Sequence, residues 1–507
     1  MYAQHDIIQL ISGYIRDWSS VMIKNNKVKI LITLMLSLLL TGCLSKHDTF
    51  ETSGGSDTPP SRYNQVGVHD PSVVKGEDKI FIVGSHLASA TTTDYVSWQL
   101  FGQGVQNGNP MIPEVQIDMK EALEWAETST FWAGDIIQMK DGKYYFYYSV
   151  CEGSQPLAAI GYAVSDHVEG PYENKGIIMK SGRAGKLLTY EPDRLIQYDA
   201  KIHPNAIDPT LFYDENELLW MVYGSYSGGI FLLKIDEDTK MPEAGQGYGT
   251  RITGGKHTRI ENPYIIYDKD TAYYYFYASF GGLASGDGYQ TRVGRSKDIE
   301  GPYLDSKGQD MDAIFDIAKP FFDDDAINPF GSKIMGDFEF INSSHKKMGH
   351  GYISPGGGSV IYDETLDKTM FVFHARFPNR GEAHELRTHE IYMSASGWPV
   401  VAPIRYSGAN FTEMNTDISG QYQFIRNEMV IMGDISISTL LTIENGVANF
   451  NGEQAPITQD GNFVSFKLGN VNYEGVSLKQ WDVRQQKMVK TITVQGDDNT
   501  SIWAIEE

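Results

Sequence analysis

KDGKYYFYYS, residues 140–149, sets a polar, glycine-bearing turn ahead of a run of aromatic side chains, the composition of a well-buried strand. The phrase returns four more times, as GEDKIFIVGS (76–85), DENELLWMVYGS (214–225), DKDTAYYYFYAS (268–279) and DETLDKTMFVFHA (363–375). A second phrase follows two of the copies: SDHVEGPY at 165–172 and SKDIEGPY at 296–303. The copies are centred roughly 55 to 95 residues apart. That is too far for an array of simple hairpins and suits four-stranded blades with loops. Helical periodicity is scarce, with MKEALEWAE (119–127) the one short candidate, so parallel α/β folds, which need a helix between strands, are disfavoured. We therefore read an all-β chain whose residues 63–408 form a five-bladed β-propeller. A sandwich of that size would leave the five copies unexplained.

Beyond residue 408 the phrase stops. QYQFIRNEMV, ISISTLLTIE, NFVSFKL, VSLKQWDV and KTITVQG are short strand-like segments, expected to build a separate small β-barrel or sandwich over 410–507. At the other end, MIKNNKVKILITLMLSLLLTGC (22–43) has a basic start, a short apolar run and a small-residue end, the pattern of a secretory signal. The apolar run, Ile30 to Leu40, is too short to span a membrane. Leu40-Thr41-Gly42-Cys43 resembles a bacterial lipobox, which implies lipid on Cys43 and a tether to a membrane surface without a span. Residues 1–21 do not fit such a signal and read as a start assigned too early, with Met22 the true start. Residues 44–62 are polar, with Gly, Ser and Pro, and read as a linker.

The formal net charge of −23 argues against nucleic acids and anionic polymers as partners. A neutral partner fits better, and the abundance of Tyr (30), Phe (23) and Trp (8) supplies flat rings on which sugars pack. With Cys43 lipidated, Cys151 is the only other cysteine, so no intramolecular disulfide can form.

In a propeller the first strand of each blade lies nearest the central channel, so residues at its start converge on one end of the axis. Acids recur at that phase. Asp70 (VHDPSVV) lies 11 residues before Phe81, Asp135 (FWAGDII) 11 before Phe146, Asp208 (NAIDPTLF) 13 before Met221 and Glu261 (RIENPYII) 15 before Phe276. In three of them a proline follows one or two residues on. Asp-Pro is also ordinary turn chemistry, and for Asp135 a structural turn acid is the preferred reading. Clustered carboxylates repel and split their pKa values. Such a cluster serves metal binding or glycosidic hydrolysis, which needs one protonated and one ionised carboxyl.

HDP (69–71), FWAGD (131–135), NAIDPT (205–210) and RIENPY (259–264) together resemble glycoside hydrolase family 43, in particular its endo-1,5-α-L-arabinanases. FHARFPNRGEAHELRTHEIYMSASGWPVVAPIRY (373–406) is similar to the end of the catalytic domain in the longer arabinanases that carry an extra β-domain. The resemblance implies a five-bladed propeller and an inverting mechanism with no cofactor required for the chemistry. By the same resemblance Asp70 is the general base that activates water, Glu261 is the general acid, and Asp208 raises and orients that acid. Asn205 and Ser225 are implied substrate contacts. Trp132 and Phe131 are candidate sugar platforms, with core packing the alternative for each. Relatives of this type commonly carry Pro-Gly-His-Asn-Ser, whose histidine belongs to a central calcium site. Here SPGGGSV (354–360) places Gly357 at that point, so a supporting calcium ion is left open, with His350 or His374 as substitute ligands.

The expectation is an exported, lipid-anchored glycosidase of a bacterial envelope that cuts internal α-1,5 linkages of arabinan, with its oligomeric state open. The alternatives are an exo-acting arabinofuranosidase or β-xylosidase on the same fold, and a non-catalytic glycan-binding lipoprotein. Scattered histidines and the lack of a glycine-rich strand-to-helix loop argue against a metal-dependent lyase or phosphatase and against nucleotide chemistry.

Overall fold

Each copy of the repeated phrase is the second strand of an antiparallel sheet in the computed structural model, which describes Tyr63 and residues 66–507 apart from 183–186, 192, 193, 317, 319 and 321. Blade 1 is built from Ser72–Lys75, Ile80–Val83, Ser89–Thr92 and Gln99–Gly102. Blade 2 uses Phe131–Gln138, Tyr144–Cys151, Ala158–Ser165 and Glu173–Ser181, and blade 3 Thr210–Tyr213, Leu219–Tyr223, Ile230–Asp236 and Thr250–Thr253. Blade 4 uses Ile260–Asp268, Tyr273–Phe280, Gln290–Ser296 and Ser332–Met335. Blade 5 uses Lys347–Asp363, Lys368–Arg376, Glu385–Met393 and Pro399–Val401, with Phe338–Ile341 added beside its long first strand. The first strands touch their neighbours in order, and the first and fifth touch each other, so the ring is closed. Part of that closure is one hydroxyl: Ser359 Oγ accepts from the Val73 amide at 3.0 Å and donates to the Pro71 carbonyl at 2.8 Å.

The repeat is apolar on both faces because both faces are buried. Successive side chains of a strand point to opposite sides, and here the two sides are the two neighbouring blades. Phe146 and Tyr148 join Phe81 and Val83 between blades 1 and 2, while Tyr145 and Tyr147 join Met221 and Tyr223 between blades 2 and 3. Val222 meets Phe276 between blades 3 and 4, Tyr277 meets Phe373 between blades 4 and 5, and Val372 meets Ile82 between blades 5 and 1. Full burial of such a side chain contributes about 1.5–3 kcal/mol, and every inter-blade wedge holds many of them. The helical candidate forms one short helix, Lys120–Trp125, packed on blade 2.

The C-terminal strands close into an eight-stranded barrel rather than a sandwich. Around it run Val471–Asp482, Phe463–Leu468, Glu453–Asp460, Val447–Phe450, Thr439–Glu444, Gly420–Asn427, Ser501–Glu506 and Lys487–Gly496, which pairs back with Val471–Asp482. Tyr422, Ile443, Phe466 and Ile502 belong to the core that fills it. Trp503, Ile505 and Val489 extend the apolar wedge of blades 4 and 5, so barrel and propeller share a core. No helix among the described residues is long and apolar enough to cross a membrane. The signal, Cys43 with its lipobox, and the linker at 44–62 fall outside the described residues.

Candidate active site

Asp70 and Asp208 each stand two residues ahead of the first strand of their blade, and each adopts a left-handed backbone, with φ of 52° and 54°. Each is followed by proline. Outside glycine this conformation is tolerated best by Asp and Asn, which is a local reason for the residue type. In blade 4 the residue ahead of proline is Asn262, with φ of 50°, and it follows Glu261. The pairing register shifts between Glu261 and Tyr264, so the blade offers its acid one residue earlier, on a longer side chain. Asp70, Asp208 and Glu261 all line one pocket of about 390 Å³ at the mouth of the channel.

The three carboxyls have opposite surroundings. Asp70 Oδ2 is hydrogen-bonded to His69 Nδ1 at 2.7 Å and accepts from Ser85 Oγ at 2.7 Å. Burial alone would raise its pKa, but the His69 imidazole and its hydrogen bond, with His374 and Ser85, hold the carboxyl far below the usual range. Glu261 is pushed up to about 7 by burial and by the nearby Asp70 charge, against the bonds it receives from Ser225 (3.0 Å) and Tyr289. Asp208 is raised by burial and by repulsion from Glu261 and Asp70, while the Asn262 amide donates to it at 3.1 Å. The site therefore holds one carboxylate firmly ionised beside a pair that keeps a proton near neutrality.

The other expected residues fall in different places. Asn205, Ser225 and Trp132 line the pocket. Asn205 Oδ1 accepts from Ser181 Oγ at 3.3 Å, and the Trp132 indole N–H donates to the Cys151 carbonyl at 3.0 Å, so both arrive pinned. Phe131 is different: it is 0% exposed and packs at 5.4 Å on Tyr148 in the wedge of blades 1 and 2, so it offers no face to a sugar. Neighbours on a strand point to opposite sides, and Trp132 takes the pocket side. Asp135 is also off the pocket. Buried within its strand, it accepts from Ser72 Oγ and from the Leu211 amide (2.8 Å), tying the first strands of blades 1, 2 and 3 together. Burial raises it to about 6.

The two histidines considered for a metal separate. His350 pairs with Asp482 of the barrel at 3.2 Å, away from the acids. His374 lies against Asp70: its Nδ1 accepts from the Asp70 amide at 3.2 Å, and its ring stacks on His69 at 3.7 Å. It fills the space a side chain at position 357 would claim, since a Cβ on Gly357 would lie 2.7 Å from the His374 ring. His69, Asp70 and His374 form a group able to hold a cation. Its donors are two imidazoles and one carboxylate already engaged by His69 and Ser85, whereas calcium takes six to eight oxygen ligands. The cluster does not fit calcium, and no step below is routed through a metal.

Sequence reasoning did not single out His69, Ser85, Tyr289 or Cys151, all of which touch the site. A signal was present for the serines. Four copies of the repeated phrase end in Ser: Ser85 and Ser225 donate to Asp70 and Glu261, Ser149 donates to the Ala133 carbonyl, and Ser279 accepts from the Gly357 amide at 2.9 Å.

Comparison with known proteins gives a consistent picture. Residues 65–314 match the family model described as glycosyl hydrolases family 43, and residues 403–504 match a C-terminal lipocalin-like domain. The chain is 44% identical over 444 residues, 87% of this chain and 93% of the relative, to extracellular endo-α-(1→5)-L-arabinanase 2 of Bacillus subtilis. A crystal structure of endo-1,5-α-L-arabinanase from Thermotoga petrophila superposes with a TM-score of 0.83 at 38% identity, covering 89% of this chain and all (100%) of that one. An extracellular exo-α-(1→5)-L-arabinofuranosidase of Cellvibrio japonicus is 30% identical over 356 residues, 66% of this chain and 87% of the relative.

Proposed function

The chain belongs to glycosyl hydrolases family 43, and from that membership and the geometry of the pocket we propose that it hydrolyses internal α-1,5-L-arabinofuranosidic linkages of arabinan with inversion. The observation that carries the reading is the split of three converging carboxyls into one held ionised and a pair that shares a proton. Asp70, the ionised member, takes a proton from the attacking water. Glu261, protonated near neutrality, gives its proton to the leaving oxygen, and Asp208, the other member of the pair, modulates and orients that acid. Trp132 offers an apolar face to a sugar, and Asn205 and Ser225 contribute polar contacts on the pocket wall.

Relatives matching nearly their whole length are extracellular by name, which supports export of this chain. Lipid on Cys43, a linker over 44–62, a catalytic unit over 63–408 and a barrel over 410–507 complete the proposal. An endo mode is favoured over an exo mode because relatives that align over the propeller and the barrel alike are endo-acting by name.

The test is a time course on linear arabinan. Short oligosaccharides of mixed length mark the endo mode, and release of single sugars alone refutes it. Proton NMR of the first products reads the stereochemistry: inversion gives the β anomer, and an initial α anomer overturns the assignment of Asp70 as base. Asp70→Ala should abolish turnover with the fold intact; undiminished turnover sinks the catalytic reading. Metabolic labelling with a radiolabelled fatty acid tests the anchor, since Cys43→Ala should lose the label.

A further inference from the structure

A second cavity, of about 330 Å³, opens where blade 5 meets the barrel. Its walls carry Lys347, Arg380, Arg387, Arg405 and the barrel's Arg484. Two carboxylates answer three of these five cations: Glu339 holds Lys347 at 2.6 Å, and Glu385 is shared by Arg380 (2.6 Å) and Arg387 (2.9 Å); a third carboxylate, Asp482, faces His350. Among the described residues no carboxylate lies within ion-pair distance of Arg405 or Arg484. In a chain of net charge −23 such a local surplus of positive charge is exceptional. It is also costly: Arg405 is largely buried, and burial with the neighbouring Arg387 lowers its pKa to about 10.

The surplus is held in a built arrangement. The Arg405 guanidinium lies on the Tyr63 ring, and Arg380 and Arg387 stack at 4.6 and 4.3 Å on Phe377. Arg484 reaches in from the barrel over Gly349, where φ is 87° and an added Cβ would stand 1.9 Å from Arg484 Nε. A side chain at 349 would evict the arginine. Planar guanidinium groups fixed in this way match a carboxylate two bonds at a time, and the cavity has the size of a small-ligand site.

The cleft is joined to the catalytic pocket by one loop. Residues 377–384 connect two strands of blade 5. At one end of the loop, His374 packs on His69 and Asp70; at the other, His384 packs on His69 at 5.2 Å. Its first half, with Phe377, Pro378 and Arg380, lines the cationic cleft. A glycan leaving the catalytic pocket across this loop would meet the arginines.

We propose that this cleft is an accessory binding site for a uronic acid unit carried on the same polysaccharide as the bond being cut. The shared-polymer part rests on the glycosidase reading above, and the binding of a uronate does not. In this arrangement the neutral chain is cleaved at the propeller axis while arginines from both domains hold an acidic sugar by its carboxylate. The barrel thereby supplies part of a glycan site.

The experiment is calorimetric titration of the full chain with a galacturonic acid trisaccharide, a neutral galactose trisaccharide and inorganic phosphate, alongside Arg484→Ala and Arg405→Gln. Arg484 is exposed, so its variant tests the site even where the Arg405 variant fails to fold. Binding of the uronate alone, weakened at least about tenfold in Arg484→Ala and falling as salt rises, is the expected result, with hydrolysis of a short neutral arabino-oligosaccharide unchanged in that variant. Absence of uronate binding, equal binding of the neutral sugar, equal competition by phosphate, or undiminished binding by Arg484→Ala overturns the proposal. None of these readouts requires turnover, so failure here is distinct from failure of the glycosidase reading.

Discussion

Replacing the proposed acid should make the protein more stable, with a gain that is absent in acid and grows as pH rises towards and past neutrality. Glu261 is pushed from an ordinary 4.5 to about 7 by burial and by Asp70. Between those two values the folded chain keeps a proton that the unfolded chain has lost. Stability is therefore full below about 4.5 and is lost as pH rises through about 7. The gap of about 2.5 units corresponds to about 3 kcal/mol, at 1.36 kcal/mol per unit. Glu261→Gln keeps the shape and an oxygen to accept from Ser225, but has no proton to lose, so it escapes this part of the decline. It also removes the Glu261 charge that raises Asp208, leaving only what burial and Asp70 impose on Asp208. Asp70 is ionised across the whole range and contributes equally to both proteins. Thermal unfolding followed by circular dichroism at pH 5 and pH 8, at matched ionic strength, should show nearly equal midpoints at pH 5 and a clearly higher midpoint for the variant at pH 8. Turnover should fall by about 10²–10⁴. An equal gain at both pH values would mean that a generic packing effect is at work, and a loss at pH 8 would mean that the ionised Glu261 carboxylate stabilises the fold, so that its pKa is not raised; either refutes the reasoning.

Three further outcomes follow from the same contacts. Ser225→Ala removes a hydrogen bond that favours ionised Glu261, so the alkaline limb of the kcat/KM profile should move up by about one unit, taking about 1.5 kcal/mol for a bond to a charged group; a limb that stays put or moves down counts against Glu261 as the acid. Ser85→Ala strips a donor from Asp70, so the acid limb should rise while the alkaline limb stays, and the reverse pattern would exchange the assigned roles. Gly357→Ala should lose both stability and turnover, because φ is 56° and the new Cβ would lie 2.3 Å from Asp70 Oδ1. A left-handed alanine alone costs about 1–3 kcal/mol, and wild-type kcat in this variant would show that Asp70 is not held by that contact.

The propeller was legible because its repeat is buried on two sides. A strand with one wet face would have alternated apolar with polar; KYYFYYS does not, and the wedges on either side of it explain why. Asp70 and Asp208 were legible for a different physical reason, since a left-handed residue ahead of proline selects Asp or Asn and so leaves a readable mark. Asp135 shared their approximate distance from the repeat but not their place. It lies inside its strand, beyond a register shift between Trp132 and Asp135, and points into the ring of first strands. Phe131 and Trp132 could not both have faced a sugar, because adjacent strand residues face opposite ways, yet pattern alone does not say which side is the pocket. His350 and His374 were equally plausible partners for Gly357 in sequence. They divide because His350 precedes the inner part of a 17-residue strand, in the stretch that reaches the barrel, whereas His374 pairs across from Gly356.

The chemistry of the site follows from what each blade places beside its acid, more than from the acids themselves. Asp70 and Asp208 share a backbone conformation, a following proline and a setting largely withdrawn from solvent, so their intrinsic preferences are alike. What separates them is one neighbour. Blade 1 has His69 ahead of its acid, which with Ser85 turns burial from a penalty on the charged form into a setting that holds it. Blade 3 has Ile207 at that place, and the next acid around the ring is Glu261, so Asp208 meets another carboxyl instead of an imidazole. The same argument extends to the serines that end the repeated strand: in the proposed mechanism Ser85 serves the base, which must stay ionised, and Ser225 the acid, which must regain its proton after each turnover. A donor on the base reinforces its role, whereas a donor on the acid opposes it and trims a pKa that burial and Asp70 would otherwise carry above the working range. On the proposed roles, the same hydroxyl at the same place in the repeat therefore bears on the acid limb of the reaction in one blade and on the alkaline limb in another.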